Sequence, residues 1–305
     1  MKPLLWLATV LVLVVCTASS ALRLSQAGVG CSPWPACYMP HAAAPEPQAA
    51  SAPAWHEPVR VTHRISASVV GLMFVFAVLF GWARWNAGER AAGACLLLAS
   101  LGLAWLGRYT PSPLPAVVLG NLLGGHALLA ALAWLLSAPR TQIAPRIGAV
   151  AAFGFVAIVA LQIALGGLVS ARAAAAACIE GCIPGALSGW TLSAFDPGLA
   201  NSGLGSPALD SAERRSVLLA HEGVAWIVLA ASALVGWRAR QSLRWKAWLP
   251  LALALIAVAL GLKMARGPYP LGQAVAHSLI AALALAGATV LWRLALRSPD
   301  PPRNA

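Results

Sequence analysis

The sequence predicts an all-α polytopic membrane protein in which eight transmembrane helices form two duplicated four-helix bundles. Hydrophobic residues make up 60% of the 305 residues and charged residues only 10%, a composition that soluble domains do not have. Four histidines lie within long apolar runs, and they recur in two similar sets: 158 residues separate His63 from His221, and 151 separate His126 from His277. We therefore expect an internal duplication, with an amino-terminal half at 1–140 and a carboxyl-terminal half at 141–305.

In the amino-terminal half, apolar runs long enough to cross a bilayer core as helix predict spans at 4–22, 61–83, 91–107 and 114–136. The first run ends in small residues after Cys16, so a cleavable signal peptide is an alternative interpretation of this segment. His63 lies in the first turns of the second span, and His126 lies near the middle of the fourth.

In the carboxyl-terminal half, the same criterion predicts spans at 147–169, 216–236, 247–264 and 271–292. His221 and His277 fall in the first turns of the sixth and eighth spans. The seventh span carries a charged residue, Lys263, next to its last residue.

The distribution of Lys and Arg predicts the orientation of the spans. The majority of the 21 basic residues fall in segments that are cytoplasmic if the amino terminus is inside, as the positive-inside rule requires. Both termini are then cytoplasmic. The net charge of +12 is spread over short connectors rather than gathered on one soluble face, which favours anionic lipid over nucleic acid as the partner.

Two long connections, 23–60 and 170–214, each contain a pair of cysteines and are predicted to lie on the outer side. Cys31 and Cys37 form one pair, and Cys178 and Cys182 form the other. Because disulfides persist on an oxidising side of the membrane, we expect two short-loop disulfides. The spacing leaves open whether each only closes a loop or takes part in redox chemistry.

The four histidines indicate two metal or cofactor sites inside the membrane. An ionisable ring in hydrocarbon is costly unless it faces a partner, a cavity or a metal. The depths of these histidines in the membrane suggest that His63 pairs with His126, between the second and fourth spans, and that His221 pairs with His277, between the sixth and eighth. Neutral imidazole suits iron, copper and zinc, and two axial nitrogens from facing helices are what a heme needs.

Over almost its whole length the chain resembles the heme A synthases of bacteria and mitochondria. The resemblance rests on the duplicated plan, the four histidines and three strings: Thr62-His63-Arg64, Cys31-Ser-Pro-Trp-Pro-Ala-Cys37, and Gln162-Ile-Ala-Leu-Gly-Gly-Leu-Val-Ser170. It implies oxidation of the C8 methyl group of heme O to a formyl group. It also implies that His63 and His126 flank the substrate heme O, and that His221 and His277 bind a heme b cofactor.

One departure from the family concerns the residue three positions before the first histidine. Many members have a glutamate there, but this chain has Arg60, which cannot accept a proton. Glu57 is the nearby carboxylate, and it replaces the glutamate as a proton acceptor only if the entry to the second span is irregular. Arg64, next to His63, is expected to act as a fork-shaped donor to a heme propionate or as an interfacial side chain.

The reaction we expect is successive hydroxylation of the methyl group, followed by collapse of a geminal diol to the aldehyde. In this interpretation Cys31 and Cys37 either accept electrons as a disulfide or close a lid. Two other functions remain open: a non-catalytic membrane cytochrome with two bis-histidine hemes, and a heme carrier or assembly factor.

The resemblance also implies partners and a location. They are heme O and the heme O synthase that supplies it, an unidentified electron acceptor, and multi-pass insertion in the inner (cytoplasmic) membrane. A homo-oligomer is a further expectation.

Overall fold

The structure is a computed structural model that describes residues 2–25, 54–110, 114–137, 147–176, 190–199, 211–265 and 270–296. Every regular element in these ranges is helical, which confirms the predicted all-α class. The predicted disulfide cysteines all lie outside the described residues, so the two disulfides stay predictions: they are Cys31, Cys37, Cys178 and Cys182.

Eight α-helices follow one another along the described chain, each within several residues of a predicted span. Their bounds are α1 Lys2–Ser25, α2 His56–Gly81, α3 Ala87–Leu106, α4 Pro115–Leu136, α5 Ala149–Ala171, α6 Ser211–Leu243, α7 Leu249–Ala265 and α8 Leu271–Ala295. Local sequence sets several of the ends. Asn86 caps α3 through a capping box with Glu89. Pro115 begins α4, at a position where the backbone N–H has no acceptor within the helix, so the lack of an N–H in proline costs no hydrogen bond.

Helices α6 and α7 are joined by a short 3₁₀ turn, Arg244–Trp248. Judged by length and hydropathy alone, the described residues contain seven segments able to cross a membrane, and Ala212–Ala265 counts as one of them with 54 residues. However, Arg244 has a φ of 55°, and α7 packs back against α6. The chain therefore reverses direction at this turn, and the long segment contains two helices.

Contacts between the helices form two rings of four. In the first ring, α1 and α3 each pack against both α2 and α4; in the second, α5 and α7 each pack against both α6 and α8. One large hydrophobic cluster lies mainly among α1–α4 and another mainly among α5–α8. The four helices that carry the histidines therefore face each other diagonally within their rings.

A buried ion pair fastens the two rings together at the end where α2 meets α3, which we call the connector end. Arg293 on α8 is 2% exposed, and its Nη2 lies 2.7 Å from Oε1 of Glu89 on α3. The same guanidinium stacks on Trp134 of α4 at 5.5 Å from the ring centroid. Because separating a buried ion pair leaves an uncompensated charge in a low dielectric, this cluster holds α3, α4 and α8 in fixed positions.

The opposite end, where α1 and α5 end and α2 and α6 begin, is the loop end. There the segment 190–199 bridges three helices: its Pro197 carbonyl accepts a hydrogen bond from the first turn of α4, its Asp196 carbonyl accepts one from Arg172 after α5, and its Ser193 donates to Glu213 on α6. Burial lowers the pKa of the Arg172 guanidinium, and the nearby carboxylates of Glu213 and Asp196 act in the opposite direction. The segment thus ties the first ring to the second above the histidines.

Candidate functional site

The side chains of His221 and His277 come together inside the second ring of helices. Their ring centroids are 6.3 Å apart and their planes are inclined by 64°. His221 lies on α6 and His277 on α8, the diagonal pair of the ring, and both side chains are half-buried. The structure therefore brings together the two histidines that the sequence pairs in the carboxyl-terminal half.

A backbone carbonyl fixes the tautomer of His277. Its Nδ1 lies 2.9 Å from the carbonyl oxygen of Ala257 on α7. Since a carbonyl oxygen only accepts hydrogen bonds, Nδ1 carries the proton, and Nε2 keeps its lone pair for a ligand. This contact of the second ring nitrogen is typical of histidines that bind metals.

The side-chain amide of Gln162 on α5 contacts His221, as the Ala257 carbonyl contacts His277. Its Nε2 lies 3.1 Å from His221 Nδ1 and 3.4 Å from His221 Nε2, while its Oε1 is buried without a hydrogen-bond partner among the described residues. The two ends of an amide are assigned from the hydrogen-bond network. With the amide turned, Oε1 accepts from Nδ1–H, and His221 takes the same tautomer as His277.

Two glycines leave space beside the paired rings. A Cβ on Gly166 of α5 would lie 3.0 Å from Cε1 of His221, and a Cβ on Gly261 of α7 would lie 3.5 Å from Cε1 of His277. A side chain at position 166 would therefore press on the ring. All four helices of the second ring thus contribute to the site, two with histidines and two with small or polar residues.

The separation of the rings fits a metal ion held between them. A metal–imidazole bond is about 2.0–2.1 Å long, which places ring centroids on opposite sides of one metal roughly 6 Å apart. Among the described residues no three side chains of His, Cys, Asp or Glu gather as a metal site. Two imidazoles without further protein ligands suit a heme iron, whose remaining positions are filled by the porphyrin.

In the first ring, His126 on α4 is 3% exposed. Its Nδ1 lies 2.7 Å from the carbonyl oxygen of Leu122, so Nδ1 donates and Nε2 keeps its lone pair. Nε2 is buried and has no hydrogen-bond partner among the described residues, although the backbone of Ser278 on α8 lies close to this ring. An acceptor nitrogen without a hydrogen-bond partner in an apolar interior is costly. A metal ion bound to this nitrogen would remove that cost.

His63 on α2 is half-buried, and within the described residues its ring makes no aromatic contact with that of His126. The helices α2 and α4 lie across the first ring from one another, separated by α1 and α3. The structure therefore places the two histidines on opposed helices. It does not bring their imidazoles together, as it does for His221 and His277 in the second ring of helices.

The charged residues near His63 face outward. Helix α2 is regular from His56 onward, and Glu57 pairs with Arg60 at 3.3 Å on an exposed surface. Arg64 is also exposed. The irregular entry that would turn Glu57 toward His63 is thus absent from α2.

Sequence reasoning did not assign a role to Gln162, Gly166 or Gly261, although the first two lie in a string that resembles the family. The available signal was helical spacing: Gln162 and Gly166 are four residues apart and share one face of α5. That spacing does not reveal which neighbouring helix the face contacts.

The chain is similar to known proteins over nearly its whole length. The family model described as cytochrome oxidase assembly protein, COX15-CtaA, matches residues 2–289. The chain is also similar to a heme A synthase of Shewanella oneidensis, with 30% identity over 311 aligned residues that cover 92% of this chain and 92% of the relative.

Proposed function

This chain belongs to the heme A synthase family, and from that premise we propose that it is an oxidoreductase that converts the C8 methyl group of heme O to the formyl group of heme A. The observation that carries the proposal within this chain is the pair His221 and His277, whose rings are 6.3 Å apart. A family that assembles cytochrome oxidase has a direct use for such a product.

We place the cofactor in the second ring of helices. His221 and His277 would hold the iron of heme b, and a heme bound there would supply one-electron transfer. The chain's own contribution is orientation: the Ala257 carbonyl and the Gln162 amide hold the imidazoles through their second nitrogens. Such contacts raise ligand basicity and fix ring orientation.

We place the substrate in the first ring, with heme O between His63 and His126. Support comes from the matching diagonal positions of the two histidine pairs and from the buried Nε2 of His126. Within this proposal, Arg64 contacts a propionate from the exposed rim. Glu57 does not replace the missing family glutamate, because it is exposed and paired with Arg60 on a regular helix.

The proposed chemistry is two successive hydroxylations of the methyl carbon with water as the oxygen source. Each one replaces a C–H bond by a C–OH bond and releases two electrons and two protons, and the resulting geminal diol loses water to give the aldehyde. The protein must hold one edge of the macrocycle still while the released electrons pass to an external electron acceptor. Cys31 and Cys37 are proposed to accept electrons as a disulfide or to close the loop over the site, and Cys178 and Cys182 to form the second disulfide.

We propose that the protein is a multi-pass protein of the inner (cytoplasmic) membrane, with both termini inside and the cysteine loops outside. Basic residues at the connector end support this orientation, and among them Arg240 lies 3.4 Å over the ring of Trp237 and Arg90 lies 5.8 Å over that of Trp82. Tryptophan is enriched at both membrane interfaces, so it is the basic residues that favour the cytoplasmic side. The heme O synthase is the proposed supplier of substrate, and a homo-oligomer is compatible with this arrangement.

The deciding experiment is to express the chain in cells that make heme O but lack their own route to heme A, and to separate the extracted hemes. Heme A should appear with the unchanged chain and be absent with His126→Ala, which should still retain heme b. A purified protein that holds two equivalents of heme b and makes no heme A would instead identify a bis-heme cytochrome.

A further inference from the structure

One buried seam of α2 faces the interior of the first ring of helices. Its apolar part, Val70, Met73 and Ala77, belongs to the large hydrophobic cluster of that ring. Toward the loop end the same seam continues through His63 and His56, which precede Val70 by 7 and 14 residues. Residues seven apart lie on nearly the same side of a helix, so His56 shares the inward side of α2 with His63, two turns nearer the loop end.

His56 is buried at that position without a polar partner. The residue is 4% exposed, and neither its Nδ1 nor its Nε2 has a hydrogen-bond partner among the described residues. Trp55 packs edge-on against the imidazole, with ring centroids 4.2 Å apart and planes inclined by 83°. Because buried polar groups are costly unless they are hydrogen-bonded, this side chain is suited to a polar ligand that the described residues do not supply.

The charged side chains near His56 point elsewhere. Glu57 and Arg60 pair with each other at 3.3 Å on an exposed surface, and Arg64 is exposed beside His63. Over this stretch of α2, the two histidines are therefore the polar groups that lie on the inward seam.

We propose that His56 donates a hydrogen bond to a propionate carboxylate of the substrate heme, and so sets which edge of the macrocycle faces the loop end. This inference rests on the proposed function, because its ligand is heme O bound between His63 and His126. Seven residues of helix rise about 10 Å, so His56 lies at the level of the edge of a macrocycle whose iron is beside His63. A neutral imidazole has one N–H in either tautomer, and a carboxylate accepts it as a charge-assisted hydrogen bond.

The membrane gives a reason for the propionate edge to face this end. His63 lies in the first turns of its span, so the loop end is the nearer aqueous boundary for a heme bound there. A carboxylate is costly in hydrocarbon, and this orientation keeps both propionates at the boundary. The exposed Arg64 is proposed to contact one of them, and the buried His56 takes the other.

The test compares heme O with its propionate dimethyl ester on purified protein that retains heme b, with binding followed by difference absorbance. The unchanged chain should bind the diacid roughly 10- to 100-fold more tightly than the diester, as expected for charge-assisted hydrogen bonds. His56→Phe keeps a ring against Trp55 but has no N–H, so it should lower that preference roughly 10-fold by weakening only the diacid. His56→Gln retains an N–H donor and should keep part of the preference.

Ser66→Ala is the matched control. Ser66 is buried on the same seam, but it lies three residues beyond His63 in the direction away from the loop end. Its replacement should leave the preference for the diacid unchanged, because the propionate edge faces the other way.

Two results would overturn the inference. One is a diester bound as tightly as the diacid by the unchanged chain, which does not depend on whether any variant folds and points instead to a lipid headgroup at His56. The other is a His56→Phe variant that keeps its heme b spectrum and the full preference for the diacid, including the case in which both ligands weaken equally. Either result leaves the proposed function standing if the unchanged chain still makes heme A; failure to bind or convert heme O at all would reject both.

Discussion

Gly166 and Gly261 offer a matched pair of substitutions that tests the histidine site with little other disturbance. Both glycines lie in helices beside an axial ring, so replacing either with alanine brings the same gain in helix propensity. They differ in space: the new Cβ would lie 3.0 Å from His221 in one case and 3.5 Å from His277 in the other. The difference between the variants therefore isolates the pressure on the His221 ring.

The expected size of that difference follows from the cost of overpacking. Carbon atoms prefer separations of about 3.5–4.0 Å, so Gly166→Ala must displace a ring that Gln162 already holds at 3.1 Å. Overpacking of this kind costs about 1–3 kcal/mol, which corresponds to roughly a 5- to 150-fold loss of heme b affinity. Gly261→Ala should change the affinity by less than a few-fold.

The assay is transfer of heme b from the purified variants to an excess of heme-free globin, followed by absorbance. Gly166→Ala should release heme much faster than the unchanged chain, and Gly261→Ala at close to the unchanged rate. Equal rates for both variants, or a faster release from Gly261→Ala, would refute the placement of heme b between these two rings.

Three further outcomes are expected. Gln162→Leu removes the amide beside the axial ring and should lower heme b affinity about 10- to 100-fold with a changed low-spin electron paramagnetic resonance signal; an unaltered signal would speak against this contact. Glu89→Gln removes the carboxylate that faces the buried Arg293 and should cost about 3–5 kcal/mol in the free energy of unfolding in detergent, whereas Glu89→Gln with Arg293→Met, in which glutamine still completes the capping box, should recover most of it. Arg172→Gln should release the segment 190–199 and speed its proteolysis, and an unchanged digestion pattern would count against the bridging role.

The sequence predicted the helices well because the membrane imposes a simple rule on their length and composition. Each predicted span overlaps one helix, including the short third span and the seventh. Helix α6 is longer than its predicted span, 216–236, because polar turns at both ends continue the helix beyond its apolar part. Hydropathy detects only the portion that meets lipid.

The sequence was less informative about how side chains meet across the helices. Repeat spacing gives the depth of each histidine along its helix, but not the rotation of that helix about its axis. It therefore paired His63 with His126 as readily as His221 with His277, although only the latter rings approach each other. The Gln162 contact depends on the same rotation, so it emerges only from the packed structure.

The division of labour between the two rings of helices is tested most directly by the heme b content of four purified single variants, His63→Ala, His126→Ala, His221→Ala and His277→Ala. The account predicts full heme b with a six-coordinate low-spin spectrum in the first two, and loss of that heme in the last two. Loss of all heme from the first two at normal expression, or retention of low-spin heme b by His221→Ala and His277→Ala, would contradict it.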